Sequence, residues 1–473
     1  MTTTVDELDS RSFATTYFDL PDLRLIRAGI TVARRTRGED TGWHATLPVG
    51  ATHYPPTGSA QELPPELSAL LLGYTAGATL RPCAHISVDQ QRWRLVDGDE
   101  TVLAEAVSDT VTGQDLRRSS TTVQTWQELD VRPRAGKPDR VRRAARRIAD
   151  ADGPALTEPA RLNRILGPRP SEVARSATAA QVLTHYLGEQ VAALRAADLA
   201  VRLDDPEGVH DLRVAVRRLR SCLRVFRPVF DPAAIRGLAT ELAWLSDVLG
   251  AARDTQVLRE GISAPLRQLP GELVLGPVWT ELDRLLAKPE ADTIAAVRDA
   301  LGGGRYRALL TALDRLLTGR PFGPRGKRKA QKVLARRVRK ATGKVTTAVR
   351  AASAADDDQR DVALHDVRKK AKRLRYACEA VEPVLGKPAR TVRKRVKQIQ
   401  QTLGAQHDSV ELRATLRDLG ARAQVDGGNG FTFGLLYGQL TQRGVARERE
   451  FAGQWQRLAS ATAFRSIAAR HCR

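Results

Sequence analysis

The sequence predicts an α+β unit followed by an all-α unit, and three observations lead to this fold class. The first part, to about residue 152, consists of short runs rich in β-branched residues and separated by Gly, Pro and Asp. From Ser171 onwards, long stretches rich in Ala, Leu and Arg have helical spacing. The helical part also repeats itself, which predicts two related bundles of about four helices each.

The strand prediction for the first part rests on GITVARRT and DETVLAEAV, which are bounded by the turn-rich segments RGEDTGW and VDGDE. A helix is predicted for DRVRRAARRIADAD, residues 139–152. The segment LTEPARLNRILGPRPSE contains several prolines and is predicted to be a linker that ends near Pro170. We therefore expect a first domain over residues 1–165 and a second over residues 171–473.

Two pairs of landmarks define the internal repeat. His210 and His365 each begin a basic helix with a His-Asp dipeptide, and they lie 155 positions apart. Asp254 ends LGAARD and Asp408 ends LGAQHD, and these aspartates lie 154 positions apart. Because the two offsets nearly agree, we expect a duplicated unit, with repeats at about 171–320 and 325–473, related by a pseudo-two-fold axis.

The charge balance points to an anionic partner. The 473 residues include 76 Lys and Arg against 54 Asp and Glu, a formal net charge of +22. The electrostatic field of such a charge favours binding of nucleic acid, inorganic phosphate chains or an anionic membrane surface. Net charge by itself does not distinguish among these three partners. A hydrophobic content of 42% argues against wholesale disorder.

The N-terminus, the apolar runs and the cysteines indicate where in the cell the protein is located. The N-terminus has no basic and apolar leader, and no apolar run approaches the roughly 18 residues of a membrane span. We therefore expect a cytoplasmic protein without membrane insertion. The four cysteines have neither CxxC nor metal-ligand spacing, and buried thiols are expected at Cys83, Cys222, Cys378 and Cys472.

Helical geometry separates each basic helix into two faces. At about 100° per residue, one face is apolar and the other presents histidine and basic residues within roughly 80°. A third basic stripe is predicted on the helix before His365, where GKRKAQKVLARRVRKATGK holds nine basic and no acidic residues. The stripes comprise His210, Arg213, Arg217, Arg220 and Arg224; His365, Arg368, Lys372 and Arg375; and Lys329, Lys332, Arg336 and Lys340.

A charged helix face is usually a solvated surface, and surface helices usually mix both signs of charge. These stripes are nearly all positive and recur in both repeats, which favours an anion-binding role. Arginine binds phosphate oxygens with its planar fork, and lysine adds a mobile charge. Aromatic content is only 5%, with none on the stripes, so nucleic acid is the second choice. The histidines have no ligand partner at i+3 or i+4, so they are not expected to bind metal.

The duplicated HDLRVAVRRLRSCLRVF and HDVRKKAKRLRYACEAVEPVLG, each followed by an LGxxxD segment, resemble the CHAD domain, the conserved-histidine α-helical domain. The resemblance covers about residues 171–473 and implies two four-helix bundles around a basic groove. It also implies binding of inorganic polyphosphate and association with polyphosphate granules. The implied ligand-facing residues are those of the two histidine-led stripes above except Arg224, and Arg393 and Lys397 are further candidates.

The first part resembles a CYTH domain, the triphosphate tunnel metalloenzyme fold, in residues 15–48 and in TWQELDV. This implies an antiparallel β-barrel or tunnel in which acidic residues hold a divalent metal and basic residues hold a triphosphate. The sequence departs from that pattern because an E-x-E-x-K strand is missing at its usual place. Glu7, Asp9 and Arg11 mimic that strand, but they come too close to the next motif and are interpreted as a coincidence.

Other departures affect the cations and metal ligands of the tunnel. Ala33 and Thr46 stand where the resemblance implies basic residues, although Arg35 remains. In HISVDQQRW, the arginines that the resemblance implies are replaced by Ser87, Asp89 or Gln90. We therefore expect no catalysis and no cofactor, with Mg²⁺ or Mn²⁺ relevant only if a metal-dependent triphosphatase activity survives. The vestigial metal candidates are Glu105, Asp109, Glu128 and Asp130.

Overall fold

The computed structural model describes residues 4–37, 41–48, 50–54, 62–96, 101–117, 122–134, 153–154, 156–167 and 177–468. The chain divides into two units, Met1–Ser171 and Glu172–Arg473. The predicted order of an antiparallel sheet followed by a helical region is confirmed. None of the described helices is long and apolar enough to cross a membrane.

The first unit is built on one sheet with the strand order β4-β3-β2-β1-β5-β6-β7-β8. All neighbouring pairs are antiparallel except the short parallel contact of β7 with β8. Three short helices join the strands. The elements are β1 Thr4–Asp19, α1 Arg24–Arg27, β2 Thr31–Arg37, β3 Gly42–Leu47, β4 Gly50–Tyr54, α2 Pro65–Leu70, α3 Leu72–Thr75, β5 Arg81–Val96, β6 Val102–Asp115, β7 Thr122–Pro133 and β8 Gly153–Pro154.

A helix covers one face of this sheet. The segment predicted to be a linker forms α4, Glu158–Leu166, which corrects the sequence interpretation. Prolines suggested an irregular segment, but Pro159 lies in the first turn of α4, where its missing N–H costs nothing. Leu162 and Ile165 of α4 pack into the apolar core of the sheet. The helix predicted for residues 139–152 lies outside the described residues.

The second unit contains ten described helices, five from each repeat. Each repeat has four longer helices and a shorter fifth. Those of the first repeat are α5 Ala179–Arg202, α6 Gly208–Val225, α7 Leu238–Arg267, α8 Val278–Gly302 and α9 Gly304–Thr318. Those of the second repeat are α10 Ala330–Ser353, α11 Asp357–Leu385, α12 Lys387–Val425, α13 Phe431–Ala459 and α14 Thr462–Ala468.

The two repeats pack against each other through equivalent helices. Helix α6 contacts α11, and α7 contacts α12. The segments leading into α5 and α10 form an antiparallel bridge between Thr178 and Lys329. An apolar cluster shared by α7, α8, α12 and α13 includes Ile262, Leu412 and Phe433. This arrangement places the two His-led helices, α6 and α11, side by side.

The apolar faces predicted for the basic helices are buried as expected. On α6 these residues are Leu212, Val216, Leu219, Leu223 and, at its end, Phe226. Cys83, Cys222 and Cys378 are buried thiols, and burial raises the pKa of each. Cys472 lies outside the described residues.

The start of α6 depends on one glycine. A Cβ atom at Gly208 would lie 2.7 Å from the backbone nitrogen of Val201, so the first turn of α6 touches the last turn of α5. We expect Gly208→Ala to lower the free energy of unfolding by about 1–3 kcal/mol, because backbone atoms cannot move aside as a side chain can. Gly188→Ala, in the open middle of α5, should instead raise it by roughly 0.5–1 kcal/mol. Urea unfolding followed by circular dichroism measures both. An equal effect of the two substitutions would contradict this interpretation.

Candidate anion-binding site

Basic side chains from both repeats meet where α6 contacts α11. The charges of Arg213, Arg217 and Arg368 all act on the ammonium group of Lys372. We call these four residues, with His210 and His365 at the head of each helix, the central cluster. It unites the leading residues of both predicted stripes. Four of its members occupy equivalent positions, since Arg213 and Arg368 follow their histidines by three residues and Arg217 and Lys372 by seven.

In each repeat, the arginine three residues after the histidine forms an ion pair with the aspartate of the LGxxxD segment. Arg213 Nη1 lies 3.0 Å from Asp254 Oδ1, and Arg368 Nη2 lies 3.7 Å from Asp408 Oδ1. In the sequence these aspartates served only as markers of the repeat. Their nearly equal spacing from each histidine was a signal that they share a site. The structure gives the reason, because each aspartate pairs with one arginine of the cluster.

The two histidines stand in similar surroundings. His365 packs against His407, with ring centroids 4.2 Å apart, and Arg253 holds the equivalent place beside His210. Burial, followed by the charges of neighbouring bases, lowers the pKa of His365 to about 4 and also lowers that of His210. Both imidazoles are therefore neutral near pH 7. The buried Nδ1 of His365 has no hydrogen-bond partner.

Positive charge in the central cluster exceeds the negative charge that the chain supplies. Burial, together with repulsion from Arg368, Arg217 and Arg213, lowers the pKa of Lys372 to about 7. Burial also lowers the pKa of Arg368, and its Nε atom is buried without a partner. Clustered, partly buried cations are costly unless an anion compensates them. The geometry is therefore suited to an anionic ligand.

Tyr376 is a contributor that the sequence analysis missed. Its hydroxyl accepts a hydrogen bond of 3.0 Å from Arg217 Nε, and the guanidinium of Arg375 lies 4.7 Å from its ring centroid. Tyr376 is fully buried, so it fixes Arg217 across the boundary between the repeats. A phenol orients a guanidinium without neutralising it, which leaves the charge of Arg217 available. No sequence signal marked Tyr376, because the equivalent residue of the first repeat is Ser221.

A second group of cations surrounds a small cavity between α6, α10 and α11. Lys370 is paired with Asp366 at 2.6 Å, and Arg337 Nε donates to the carbonyl of Val225 at 3.0 Å. No acidic side chain lines the cavity. We call this group the α10 cluster; it comprises Arg224, Arg337, Lys340, Lys344, Lys370 and Arg373.

Further basic residues lie on both sides of the α10 cluster, towards α6 and towards the start of α10. Arg220 and Arg224 both lower the pKa of Arg373, for which burial is the larger cause, so the stripe of α6 reaches this cluster. On the far side, an open cavity of about 1000 Å³ is lined by Lys329, Lys332 and Arg336, and Arg337 and Lys340 line it too. The structure therefore places the predicted α10 stripe beside the C-terminal end of α6, and not in the central cluster.

Three predicted residues lie apart from these clusters or have other partners. Arg393 pairs with Glu382 at 2.8 Å, and Lys397 is exposed on the same helix, α12. Arg375 donates to Gln400 at 3.0 Å. Glu379, which ends the stripe of α11, pairs with Arg218 at 2.9 Å. The charge of Arg393 is therefore already compensated within the protein.

The four acidic residues considered as metal candidates in the first unit are each engaged in an ion pair. Asp109 and Glu128 share Arg161, at 2.7 and 2.6 Å. Glu105 lies 3.6 Å from Arg134, and Asp130 lies 2.8 Å from Arg132. Over the described ranges of the chain, no group of three or more His, Cys, Asp or Glu residues could hold a metal ion. The set therefore does not fit the divalent metal that the sequence resemblance implied.

The fold and site define a protein with a duplicated helical unit that gathers cations between its two halves. A model of the CHAD domain family matches residues 185–417. The chain is 33% identical to the uncharacterized protein Rv2226 of Mycobacterium tuberculosis over 457 residues, which are 92% of this chain and 87% of that protein. The uncharacterized protein MT2285, from another strain of that species, matches to the same extent. The chain belongs to the CHAD domain family.

Two solved structures are also similar. PptA from Streptomyces chartreusis has 23% sequence identity and a TM-score of 0.49, and the match covers 59% of this chain and all of that one. The CHAD domain from the plant Ricinus communis has 25% identity and a TM-score of 0.48, with 62% of this chain and 96% of that one covered.

The low pKa of Lys372 predicts how stability depends on pH. Below pH 7 the lysine is charged in both folded and unfolded chains, so its repulsion in the fold is fully present. Between pH 7 and about 10.5 the folded form loses its proton while the unfolded chain keeps it, which relieves the penalty. Lys372→Met should therefore raise the urea midpoint more at pH 6 than at pH 9.

Lys369→Met is the matched control, because Lys369 is exposed on the same helix. It should change the midpoint little at either pH. The same gain from Lys372→Met at both pH values would show that Lys372 is not held with a lowered pKa.

Proposed function

We propose that this protein binds inorganic polyphosphate without catalysis, through the central cluster and the adjoining basic surface of the α10 cluster. The observation that supports this most strongly is the uncompensated positive charge of Arg217 and Lys372. They come from equivalent positions of two repeats, lie together where α6 contacts α11, and have no carboxylate of their own. A bound anion would remove the repulsion that lowers the pKa of Lys372.

A phosphate chain matches the shape and composition of this surface. From Arg213 to Arg224 the stripe on α6 extends about 16 Å along the helix, and the α10 cluster lengthens it. Arginine forks bind phosphate oxygens in pairs, and lysines adapt to their spacing. Single-stranded nucleic acid would be expected to use exposed aromatic residues for stacking, whereas Tyr376 is buried beneath its arginines.

The first unit supports the non-catalytic part of the proposal. Triphosphate hydrolysis of the kind that the CYTH resemblance implies needs acidic residues free to hold a divalent metal. Asp109 and Glu128, the most buried of the four candidates, are instead bonded to Arg161. In this proposal the protein acts in the cytoplasm, at polyphosphate granules, and the helical unit carries the binding activity.

The central cluster gives the first test. In Arg217→Glu/Lys372→Glu we expect the affinity for labelled polyphosphate to fall about 100-fold or more, because two charged contacts become repulsive. The slope of log K against log salt should also shrink by about two, since fewer counterions are released. Fluorescence anisotropy over a salt series measures both quantities.

Lys288→Glu/Arg417→Glu is the control for net charge. Both residues are exposed, and neither belongs to the two clusters. It should bind polyphosphate nearly as the parent does. Equal binding by parent and cluster variant would exclude the central cluster as the site. In competition, polyphosphate should displace labelled DNA at a much lower phosphate concentration than DNA displaces polyphosphate, and the reverse order would favour a nucleic-acid-binding protein.

The α10 cluster predicts a dependence on chain length. A short chain should fit on the central cluster alone, whereas a longer one should continue past Arg224 onto α10. Lys340→Gln/Lys344→Gln should therefore weaken binding of long chains about tenfold and leave that of short chains nearly unchanged. Calorimetry with size-fractionated polyphosphate measures the effect. Equal losses for both lengths would contradict a continuous path.

A further inference from the structure

The place where α4 meets the sheet of the first unit has a feature that polyphosphate binding does not explain. Ile165 lies directly above Gly113, where a Cβ atom would come within 2.5 Å of its side chain. Leu162 is also buried there, with Val111 and Trp126 of the sheet. This close packing places Arg161, on the same helix, beside the carboxylates of β6 and β7.

Two carboxylates face each other across these strands. Asp109 and Glu128 are direct partners in the antiparallel register of β6 and β7. Their side chains are only 13% and 2% exposed. Like charges directly opposite in a sheet are destabilising, and burial increases the cost. A cation between them offsets this cost.

Arg161 provides that cation. Its Nη2 atom lies 2.7 Å from Asp109 Oδ2 and 2.6 Å from Glu128 Oε2, and its Nε atom lies 3.1 Å from the same Glu128 oxygen. The other acceptor positions are also occupied. Trp126 Nε1 and the Leu156 N–H donate to Glu128 at 2.6 and 2.9 Å, and Gln90 Nε2 donates to Asp109 at 2.9 Å.

The balance of these contacts favours the ionised form of Glu128. Burial by itself would raise the pKa of Glu128, but the bonds from Arg161, Leu156 and Trp126 outweigh it and leave that pKa below its ordinary value. Paired carboxylates are also what a hard divalent cation binds. The guanidinium and such a cation would therefore compete for the same oxygens.

We propose that Arg161 takes the position of a divalent cation between Asp109 and Glu128, and that a divalent cation binds these carboxylates once the guanidinium is removed. The first unit thus supplies its own counter-ion from α4, and the same ion pairs hold α4 on the sheet. This inference concerns a different unit from the proposed phosphate-chain site and does not depend on it.

The test uses the full-length chain and Mn²⁺ alone as the probe. In Arg161→Gln we expect a lower melting temperature, by at least about 5 °C, because two buried carboxylates lose their counter-ion. Mn²⁺ should restore part of that loss. Free Mn²⁺ measured by electron paramagnetic resonance should show an affinity at least about tenfold above that of the parent.

Arg164→Gln is the matched control on the same helix, because its guanidinium lies over the Trp126 ring at 4.5 Å. It should bind Mn²⁺ no better than the parent. Arg161→Lys, which keeps the charge, should also resemble the parent. Adding Glu128→Gln to Arg161→Gln should abolish the gained Mn²⁺ affinity.

Two outcomes would overturn the proposal. One is a parent chain that binds Mn²⁺ as tightly as Arg161→Gln, and the other is a folded Arg161→Gln chain without Mn²⁺ affinity. If Arg161→Gln unfolds, refolding with Mn²⁺ is compared with refolding in NaCl of equal ionic strength, and no recovery with Mn²⁺ would again overturn it. Polyphosphate binding should be the same in all folded variants, so the result is independent of the function proposed above.

Discussion

Arg217 and Lys372 approach each other where α6 contacts α11. The packing of these helices has to oppose the repulsion between these two cations and their basic neighbours. Arg217 and Lys372 each come seven residues after the histidine of their own repeat. Duplication followed by pseudo-symmetric packing brings equivalent faces of the two helices together, so the charge of one repeat is added to that of the other. The apolar faces on the opposite sides of α6 and α11 are deeply buried, which stabilises the packing despite the repulsion.

The partners of the individual arginines show which charges are compensated within the protein and which are left for a ligand. Arg218 and Arg393 are paired with glutamates, at 2.9 and 2.8 Å, and their charge is compensated. Arg217 is held by the neutral hydroxyl of Tyr376, and Lys372 is surrounded mainly by other cations. Arg213 and Arg368 share their charge with exposed or half-exposed aspartates, which orient them without enclosing them. The chain thus orients these cations while leaving much of their charge to a ligand.

In the first unit the clustered buried charges are negative, and they are compensated within the unit. There the buried groups are carboxylates, and α4 contributes the compensating charge through Arg161. The ion pairs of Arg161 are accompanied by close packing of Ile165 against Gly113. Loss of the Arg161 charge and loss of the contact between α4 and the sheet are therefore linked. Asp109 and Glu128 of the first unit are therefore compensated within that unit, whereas the central cluster of the helical unit retains an excess of positive charge.

Much of the architecture could be predicted from local patterns. Alternation and turn residues marked the strands, the 3.6-residue period marked α6 and α11, and two nearly equal offsets revealed the duplication. Errors arose where a local pattern was ambiguous. Prolines at positions 159, 168 and 170 suggested a linker, yet the first belongs to the opening turn of α4. Tyr376 gave no signal, because a single buried aromatic residue on a helix is ordinary core in any sequence.

By itself, the sequence determined which residues share a helical face and that the face is positive, because both follow from spacing along one helix. It also determined that the unit is doubled. Only the tertiary structure decided which charges remain uncompensated, because ion pairs such as Arg213 with Asp254 or Arg161 with Glu128 join residues far apart in the chain. It likewise decided that the α10 stripe lies beside the end of α6 and not in the central cluster. Pairing depends on distances between elements, and no periodicity within a single element contains that information.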